Sequence, residues 1–402
     1  MHSDIICGLD IGASSIRALI GDGSGRVLGF GAAPTKGFSK SVVSNLALLS
    51  DAIEAGVSKA EEMARCRVRK VITNVSGVHI RTFQSRGSVH ISDRPSEITK
   101  EDIKRCVESA KVIAMSLDRE PVHLIPVRFF IDDKMEINDP LGLFGSKLDV
   151  DLNIITSLVT VLQNVTRAVN LAGYEVDDIV ASGAGSGLAV FDKTELESGA
   201  ICADIGKELT ELTLFVDGKL RDTFSFPFGG DDLTQVLQDR LKIMFDEAEE
   251  LKIKYGIVTR ELSKIDDAQI LVPCLAETRS TSKSEISNLL LPKVEAMAEE
   301  TQKKLSPFLK NRKSLPRISV IGGVSRMDGV IETIEDIMGV PVGMGVIKGL
   351  DDLKDISFAC SLGLMRHGVS RLAGARQRYS PKTGNVFAKT FARIKALFSE
   401  YF

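Results

Sequence analysis

The apolar positions near the start of the chain form three short runs that are separated by turn residues. The runs IICGLDIG, SIRALIGD and RVLGFGAA are dominated by aliphatic residues and glycine, and Gly23 and Gly25 mark the turn between the second and third. This pattern predicts a β-hairpin extended by a third strand. The first run ends at Asp10 and Gly12, so a carboxylate and a glycine follow the first strand.

The same pattern returns in the second half of the chain. AICADIG ends at Asp204 and Gly206, LTELTLFVD follows, and KLRDTFSFP comes after the Asp217-Gly218 turn. Two hairpins with an acidic residue at the same place predict a duplicated architecture whose lobes face each other across a cleft. An Asp at such a mouth can hold hydrated Mg²⁺, and the neighbouring Gly lets backbone N–H groups approach a polyphosphate. Two unrelated hairpins with ordinary turn residues are the alternative.

A third element lies in RISVIGGVSRMDGVIETIEDIM. It predicts a buried strand over 318–321, the pair Gly322-Gly323, and a helix from about Met327 to Met338. A glycine pair between strand and helix allows a flat ring or a ribose to lie against the backbone, and Arg326 just beyond it can stack on that ring.

A fourth candidate is the pair Glu249 and Lys252 in FDEAEELKIKYG. Residues three apart share a helical face, so the two side chains can grip ribose hydroxyls together. A solvated helix surface is the alternative for such a pair.

Composition narrows the class of protein. The chain has 402 residues, of which 44% are hydrophobic and 26% charged, so it can bury a large core divided over two or more lobes. A net charge of -3, 5% aromatic residues and no Trp argue against a nucleic-acid partner. The six cysteines are widely spaced without metal-like pairing, which favours buried free thiols in a reducing compartment. No run of 18 apolar residues is long enough to span a bilayer.

The last stretch of the chain changes character. Residues 369–385 are polar and basic and contain Gly and Pro, which predicts a flexible linker, and residues 386–402 predict an amphipathic helix. Its apolar face would consist of Phe387, Phe391, Ile394, Leu397, Phe398 and Tyr401, with Lys389, Arg393 and Lys395 largely outside that face. Such a helix can lie on an anionic membrane surface. A helix docked on the protein's own core or in a partner groove is the alternative.

Taken in order, the four site elements resemble the actin and heat-shock chaperone superfamily of ATP-binding proteins, and within it the FtsA family. They are Asp10-Ile-Gly, Asp204-Ile-Gly, Glu249-x-x-Lys252 and Gly322-Gly323. The part of the chain that resembles FtsA proteins and differs from other actin-like proteins is an insertion after the first hairpin. It contains NVSGVHIRTFQSRGSVHI, EITKEDIKRCVESA, HLIPVRFFID and DPLGLFGSKLDVDLNIIT.

Without the resemblance, the same insertion predicts a small two-layer α+β module. Thr99 and Asp102 form a capping-box-like start of a helix that runs to about Val112, and VHLIPVRFFID is a mostly apolar strand.

The resemblance implies an α/β, two-lobed actin-like ATPase fold made of duplicated ribonuclease-H-like domains, with an FtsA-type extra α+β subdomain and a C-terminal amphipathic helix. The implied divisions are 1–82, 160–194 and 355–368 for the first lobe core, 83–159 for the extra subdomain, 195–256 and 313–354 for the second lobe core, 257–312 for a helical partner-binding subdomain, 369–385 for a linker and 386–402 for a membrane-targeting helix.

The resemblance also implies that the chain binds ATP with Mg²⁺. The residues at Mg²⁺ and the phosphates would be Asp10, Gly12, Ser14, Ser15, Asp204, Gly206 and Thr210, with the metal held through water by Asp10 and Asp204 and with Asp204 as the catalytic candidate. The residues at adenosine would be Glu249, Lys252, Gly322, Gly323 and Arg326, with Gly230 nearby.

Two departures from the family pattern argue against rapid turnover. Lys207 and Glu208 stand where FtsA proteins have small residues in the second phosphate loop. Ser182 stands where the chaperones carry a Glu that helps to position the attacking water, and a hydroxyl is a poor substitute. We therefore expect ATP binding with weak or no hydrolysis.

For function, the resemblance implies a membrane-tethering adaptor of bacterial cell division at the cytoplasmic face of the inner membrane. Such a protein assembles into filaments, anchors FtsZ polymers at the division site and recruits later division proteins. The acidic C-terminal peptide of FtsZ would dock near Lys293, which is followed by Glu295, although a solvated helix residue is the alternative for Lys293. A PilM-like scaffold of pilus assembly and a small-molecule kinase of the same superfamily remain open.

Overall fold

The computed structural model describes residues 4–114, 116–262, 267–273, 278–310, 316–350 and 353–379. The chain divides into two compact units. Unit 1 comprises the described parts of Met1–Ala189, Lys219–Thr223 and Phe358–Phe402, and unit 2 those of Val190–Gly218 and Phe224–Ser357.

The first part of the chain alternates hairpins and helices. In chain order its elements are β1 (Ile5–Ile11), β2 (Ser15–Asp22), β3 (Val27–Pro34), β4 (Phe38–Ser39), β5 (Val42–Val43), α1 (Leu46–Ala64), β6 (Lys70–Val75), β7 (Arg81–His90), β8 (Ser96–Glu97), α2 (Lys100–Ala114), β9 (Arg119–Ile131), β10 (Met135–Ile137), β11 (Phe144–Gly145), β12 (Lys147–Leu158), α3 (Val159–Leu171), β13 (Glu175–Ala181) and α4 (Ser182–Val190).

The second part begins with a short helix before another hairpin. Its elements are α5 (Lys193–Ser198), β14 (Ala200–Ile205), β15 (Thr210–Val216), β16 (Lys219–Phe226), α6 (Gly230–Leu241), α7 (Phe245–Tyr255), β17 (Ile270–Pro273), β18 (Thr278–Thr281), α8 (Lys283–Leu309), β19 (Arg317–Ile321), α9 (Val330–Met338), β20 (Val342–Met344) and α10 (Ala359–Tyr379).

The main sheet of unit 1 has the order β13-β6-β1-β2-β3, in which β1 to β3 are antiparallel and β6 and β13 are parallel to β1. Helices cross this sheet closely because glycines line the contacts. A Cβ at Gly8 would lie 2.0 Å from the carbonyl oxygen of Ser361 in α10, and one at Gly31 would lie 2.5 Å from that of Gly56 in α1. The strand ends therefore sit on a tightly packed support.

The main sheet of unit 2 has the order β16-β15-β14-β19-β20, which repeats the topology of the first sheet strand for strand. The two tight turns also match, since the Gly12 N–H donates to the Ser15 carbonyl at 3.3 Å and the Gly206 N–H to the Leu209 carbonyl at 2.9 Å. The predicted duplication is confirmed, and the alternative of two unrelated hairpins is wrong.

The insertion in unit 1 is the predicted two-layer module. Its sheet has the order β10-β9-β12-β7, and α2 packs on one face, where a Cβ at Gly87 would lie 2.4 Å from the Cys106 carbonyl oxygen. The capping box is present, because the Thr99 N–H donates to Asp102 Oδ2 at 2.9 Å and the Asp102 N–H donates to Thr99 Oγ1 at 3.3 Å. The helix that it starts ends at Ala114, close to the predicted Val112.

Three sequence predictions about elements need correction. The region 257–312 is not purely helical, because the hairpin of β17 and β18 precedes the long helix α8. The helix expected from Met327 begins at Val330, since Gly329 has a left-handed φ of 83° that separates it from a short 3-10 turn over Val324–Arg326.

The linker expected from residue 369 is the third correction, because α10 continues to Tyr379. Arg371 anchors the added turns, with Nη1 3.1 Å from the carboxylates of both Asp177 and Asp178. Residues 380–385 and the whole predicted membrane helix, 386–402, lie outside the described residues.

The cysteines agree with the expectation of free thiols where they are described. Cys7, Cys106, Cys202 and Cys360 are buried, Cys66 is half-buried, none of these five forms a disulfide, and Cys274 lies outside the described residues. Burial raises the pKa of the Cys106 thiol to about 12, so this thiol stays protonated. In the described part of the chain, each helix is too short or too polar to cross a bilayer.

Candidate functional site

Asp10 ends strand β1 in unit 1 and is buried, with only 8% of its surface exposed. Its Oδ1 accepts a hydrogen bond of 2.8 Å from the amide of Asn74, and Arg17 Nη1 lies 3.8 Å from Oδ2. Burial raises the pKa of the Asp10 carboxyl, while Arg17 and the hydrogen bonds from Cys360 and Asn74 oppose that rise. A cation near this carboxylate would favour its charged form further.

Asn74 is a site residue that the sequence analysis missed. Its Nδ2 donates to Asp10 Oδ1 and also to Ser182 Oγ at 2.9 Å, while its Oδ1 accepts from the Ile11 N–H at 2.7 Å. One amide therefore connects the end of β1, the end of β6 and the start of α4. The available signal was the pair Thr73-Asn74, two polar residues between the aliphatic residues Ile72 and Val75 of the strand KVITNV.

The first predicted phosphate loop is a tight turn. The Thr35 hydroxyl donates to the Gly12 carbonyl at 2.6 Å, and the Thr35 N–H donates to the Ser14 carbonyl at 3.2 Å. Ser14 is exposed and Ser15 is half-buried. Thr35, the residue that follows β3, thus holds this turn through two hydrogen bonds, while the Ser14 side chain stays exposed to solvent.

Asp204 and Gly322 come together in unit 2 because β14 and β19 are paired, with Asp204 opposite Ile321. A Cβ at Gly322 would lie 2.3 Å from the Ile205 carbonyl oxygen and 2.5 Å from Asp204 Oδ1, and Gly322 has a φ of 91°. Only glycine fits this backbone beside the carboxylate. The structure therefore places these two predicted residues in contact.

The second predicted phosphate loop packs against the start of α6. The Gly230 N–H donates to the Gly206 carbonyl at 3.0 Å, and the Asp231 N–H donates to the Lys207 carbonyl at 2.8 Å. A Cβ at Gly229 would lie 2.4 Å from the Lys207 carbonyl oxygen, so this glycine, which the sequence analysis did not single out, is required for the contact.

Side chains of the second loop differ in their surroundings. Lys207 is exposed and Glu208 is half-buried. Thr210 is buried, and its hydroxyl donates to the Phe228 carbonyl at 2.9 Å, which holds the loop rather than pointing a free donor outwards.

Glu249 and Lys252 form a bonded pair on α7. Lys252 Nζ lies 2.6 Å from Glu249 Oε2 and 2.8 Å from the Gly230 carbonyl oxygen. The Lys252 side chain is only 8% exposed, so the alternative of a solvated surface pair is wrong for this residue. The predicted neighbour Gly230 is indeed in direct contact.

The glycine pair after β19 presents an open face. Gly323 is exposed, and a Cβ placed on it would meet nothing within 4 Å. Val324 brings this segment next to α6, because a Cβ at Gly230 would lie 3.5 Å from Val324 Cγ2. Arg326 is exposed and forms an ion pair with Asp355, so its guanidinium already has a partner.

The predicted docking residue Lys293 is exposed on α8. Glu295 on the same helix is bonded instead to Arg260, whose Nε and Nη2 lie 2.9 and 2.6 Å from Oε1. Arg260 was not singled out from the sequence, since it lies far from Glu295 along the chain. Lys293 and Glu295 are two residues apart on α8, so their side chains point in different directions, and the Arg260–Glu295 pair is separate from the predicted docking residue.

The described residues contain no cluster of three or more His, Cys, Asp or Glu side chains able to hold a metal ion. The predicted contacts from Asp10 and Asp204 through water remain predictions.

Comparison with known proteins gives the same family over most of the chain. The family model described as "Cell division protein FtsA" matches residues 201–363, and that described as "SHS2 domain inserted in FTSA" matches residues 77–156. The cell division protein FtsA of Pseudomonas aeruginosa is 31% identical over 377 residues, which cover 91% of this chain and 90% of that protein. The FtsA of Neisseria meningitidis serogroup B is 32% identical over 380 residues, which cover 91% of this chain and 90% of that protein.

Solved structures share the fold at low identity. A PilM-PilN type IV pilus biogenesis complex chain superposes with a TM-score of 0.62 at 18% identity, covering 90% of this chain and 98% of that one. MreB5 of Spiroplasma citri bound to ADP gives a TM-score of 0.53 at 14% identity, covering 90% and 95%. The predicted actin-like two-lobed α/β fold with its inserted subdomain is confirmed, and the chain belongs to the FtsA family of cell division proteins.

Proposed function

We propose that this chain is a membrane-tethering adaptor that binds ATP, assembles into actin-like filaments and anchors FtsZ polymers to the inner face of the cytoplasmic membrane at the division site. Membership of the FtsA family supports the cell-division role. The tether, the filament, FtsZ and the later division proteins come from the resemblance and are proposals.

The observation that carries the nucleotide-binding part is the arrangement beside the open face of Gly323. Lys252 donates to both the Gly230 carbonyl and the Glu249 carboxylate, and Val324, the residue after the glycine pair, packs beside Gly230. A planar base fits against backbone that lacks a side chain, and a carboxylate is a good acceptor for ribose hydroxyls. Among structures of the same fold, MreB5 of Spiroplasma citri has been solved with ADP and with AMPPNP.

In this proposal, bound ATP would control whether the protein adopts the conformation that assembles into filaments. Bound MgATP supplies a charged triphosphate, and a ligand that binds one conformation more tightly shifts the protein towards it. Asp10 and Asp204 would hold the Mg²⁺ through water, and the turns at Gly12 and Gly206 would face the phosphates.

Weak or absent hydrolysis fits the surroundings of Ser182. Its Oγ accepts a hydrogen bond from Asn74, and a hydroxyl has no carboxylate to take a proton from water. Without a base to activate water, Asp204, the catalytic candidate, would only orient the hydrated metal ion. Phosphate release from ATP at a measurable rate would contradict this assignment.

Equilibrium titration of the full-length chain with ATP and Mg²⁺ tests the proposed ATP binding. We expect saturable binding below millimolar ATP, and Glu249→Ala should weaken it by about tenfold, which is about 1.4 kcal/mol. Glu250→Ala, which removes the same kind of side chain at an exposed position of the same helix, is the matched control. Absence of saturable binding at millimolar ATP would contradict the proposal.

Vesicle co-sedimentation tests the tether. Removal of residues 386–402 should abolish pelleting with vesicles that contain anionic lipid, and substitution of Phe391 and Phe398 by Asp should do the same. Ser399→Ala serves as the control within the segment. Because one short helix is a weak anchor, wild-type binding should strengthen under conditions that promote assembly. A truncated chain that still pelleted would contradict this assignment.

Peptide binding separates the adaptor from a PilM-like scaffold. The adaptor should bind an acidic FtsZ C-terminal peptide, whereas the scaffold should instead bind the cytoplasmic tail of a pilus-assembly protein. The similarity to the PilM-PilN complex chain supports the shared fold and does not favour a pilus-assembly scaffold over a cell-division adaptor. ATP consumption stimulated by a small hydroxylated acceptor would favour the kinase alternative.

A further inference from the structure

Lys252 has no donor left for a nucleotide. Its buried Nζ lies 2.8 Å from the Gly230 carbonyl oxygen, 2.7 Å from Thr234 Oγ1 and 2.6 Å from Glu249 Oε2. An ammonium group has three N–H donors and no acceptor, so these three bonds use its full capacity. A direct bond to a ribose would require one of them to break.

Glu249, by contrast, keeps one oxygen available. Its Oε2 accepts from Lys252 Nζ and from the hydroxyl of Thr234, whereas no hydrogen bond among the described residues reaches Oε1. The Glu249 side chain is 34% exposed, while that of Lys252 is 8% exposed. The buried partner therefore faces the protein, and the carboxylate faces outwards.

The four residues of this network tie two helices together. Gly230 and Thr234 lie on the first turn and a half of α6, and Glu249 and Lys252 lie on α7. The Thr234 hydroxyl also lies 3.0 Å from the Gly230 carbonyl oxygen. Because Lys252 and Thr234 are buried, removal of one member of this charge-assisted network leaves buried polar groups unpaired.

From this geometry we propose that Lys252 is a positioning residue rather than a nucleotide contact. It fixes the Glu249 carboxylate, together with Thr234, so that Oε1 receives a hydrogen bond from a ribose hydroxyl of the bound nucleotide. This inference rests on the proposed ATP binding. It revises the expectation that Glu249 and Lys252 both grip the sugar.

Calorimetric titration of the full-length chain with ATP, 2′-deoxy-ATP and 3′-deoxy-ATP, each with Mg²⁺, tests the inference. Wild type should bind ATP about tenfold more tightly than at least one deoxy analogue, and Glu249→Ala should remove that preference. Lys252→Met and Thr234→Val should each lower the preference at least threefold, and each should also lower the thermal midpoint of the nucleotide-free protein. Lys254→Met, an exposed neighbour on α7, should change neither quantity.

The double variant distinguishes positioning from contact. If Lys252 and Thr234 both act through Glu249, their effects should not add. The double variant Lys252→Met/Thr234→Val should then lose no more of the preference for ATP over the deoxy analogues than the more affected single variant loses. The inference would be overturned if Thr234→Val kept the full preference for ATP over the deoxy analogues while Lys252→Met lost that preference without a change in thermal midpoint. A wild-type chain that binds all three nucleotides equally would also overturn it. No binding of ATP at all would instead contradict the proposed function.

Discussion

The side-chain amide of Asn74 lies 2.8 Å from the carboxylate of Asp10, and these two residues are on neighbouring strands of the first sheet. The carbonyl oxygen of the same amide holds the Ile11 N–H at 2.7 Å. The end of β1, where the first predicted phosphate loop begins, is thus fixed by a residue from β6. Burial raises the pKa of the Asp10 carboxyl, so the amide donor matters for keeping it charged.

Replacement of Asn74 tests this support. Asn74→Ala leaves a buried carboxylate and a buried backbone N–H without their partner, so the free energy of unfolding should fall by about 2 kcal/mol. Urea denaturation measures the change, and Asn170→Ala, at an exposed position of α3, is the control. Equal stability of the two variants would show that the Asn74 bonds contribute little.

The glycine pair offers two variants with opposite expectations. Gly322→Ala should lower the free energy of unfolding by about 2 kcal/mol or more, because its φ is 91° and the new Cβ would lie 2.3 Å from the Ile205 carbonyl oxygen. Gly323→Ala should leave stability within about 0.5 kcal/mol, because its φ is -63° and nothing lies within 4 Å of the new Cβ.

The same Gly323→Ala variant reports on nucleotide binding. If a base lies against this open backbone, the added methyl should weaken ATP binding about tenfold while the unfolding curve stays unchanged. Calorimetry with ATP and Mg²⁺ gives the affinity. Wild-type affinity in this variant would place the base elsewhere.

His123 links the inserted subdomain to the sheet of unit 1. It lies on β9, is buried, and its Nε2 accepts the Ala181 N–H at 3.0 Å, so the folded protein needs this ring nitrogen unprotonated. Burial lowers the pKa of His123 from 6.5 to about 4, with a further contribution from His367 that Asp178 opposes.

The free energy of unfolding should depend on pH because the pKa of His123 is lower in the folded chain than in the unfolded chain. As the pH falls from 6.5 towards 4, the unfolded chain takes up a proton at His123 that the folded chain does not, so the free energy of unfolding decreases. The loss approaches roughly 3 kcal/mol once the pH is below both values. His123→Gln keeps an acceptor without this titration, so its unfolding free energy should depend less on pH over the same window.

Denaturation at several pH values measures that difference between wild type and His123→Gln. His90→Gln, at an exposed position of β7, is the matched control and should follow wild type. A variant at position 123 with the wild-type pH dependence would mean that other groups account for the loss.

The cation on α8 gives a prediction about the proposed partner. Lys293→Glu should weaken binding of an acidic FtsZ C-terminal peptide by about threefold to tenfold, and the wild-type affinity should fall with added salt. Lys303→Glu makes the same charge change at another exposed position of α8. Fluorescence anisotropy with a labelled peptide measures both. Equal losses in the two variants would indicate a general charge effect instead of a docking site.

Much of the fold was encoded in local patterns. The runs ending at Asp10 and Asp204 predicted both hairpins, the spacing of Thr99 and Asp102 predicted the start of α2, and the glycines after Ile321 marked the turn into the next element. These signals depend on residues within a few positions of each other, where local backbone geometry and short-range side-chain-to-backbone hydrogen bonds decide the outcome.

Tertiary structure decided which polar groups meet. Asn74 is hydrogen-bonded to Asp10 and Ser182, and Arg260 to Glu295. These residues are far apart in the sequence, and the spacing of polar and apolar residues does not indicate which of them will be partners. The three donors of Lys252 are used inside the protein, which its spacing from Glu249 does not reveal. A hydrogen bond depends on the direction and burial of both groups, and only the packing of the strands and helices that carry them fixes these.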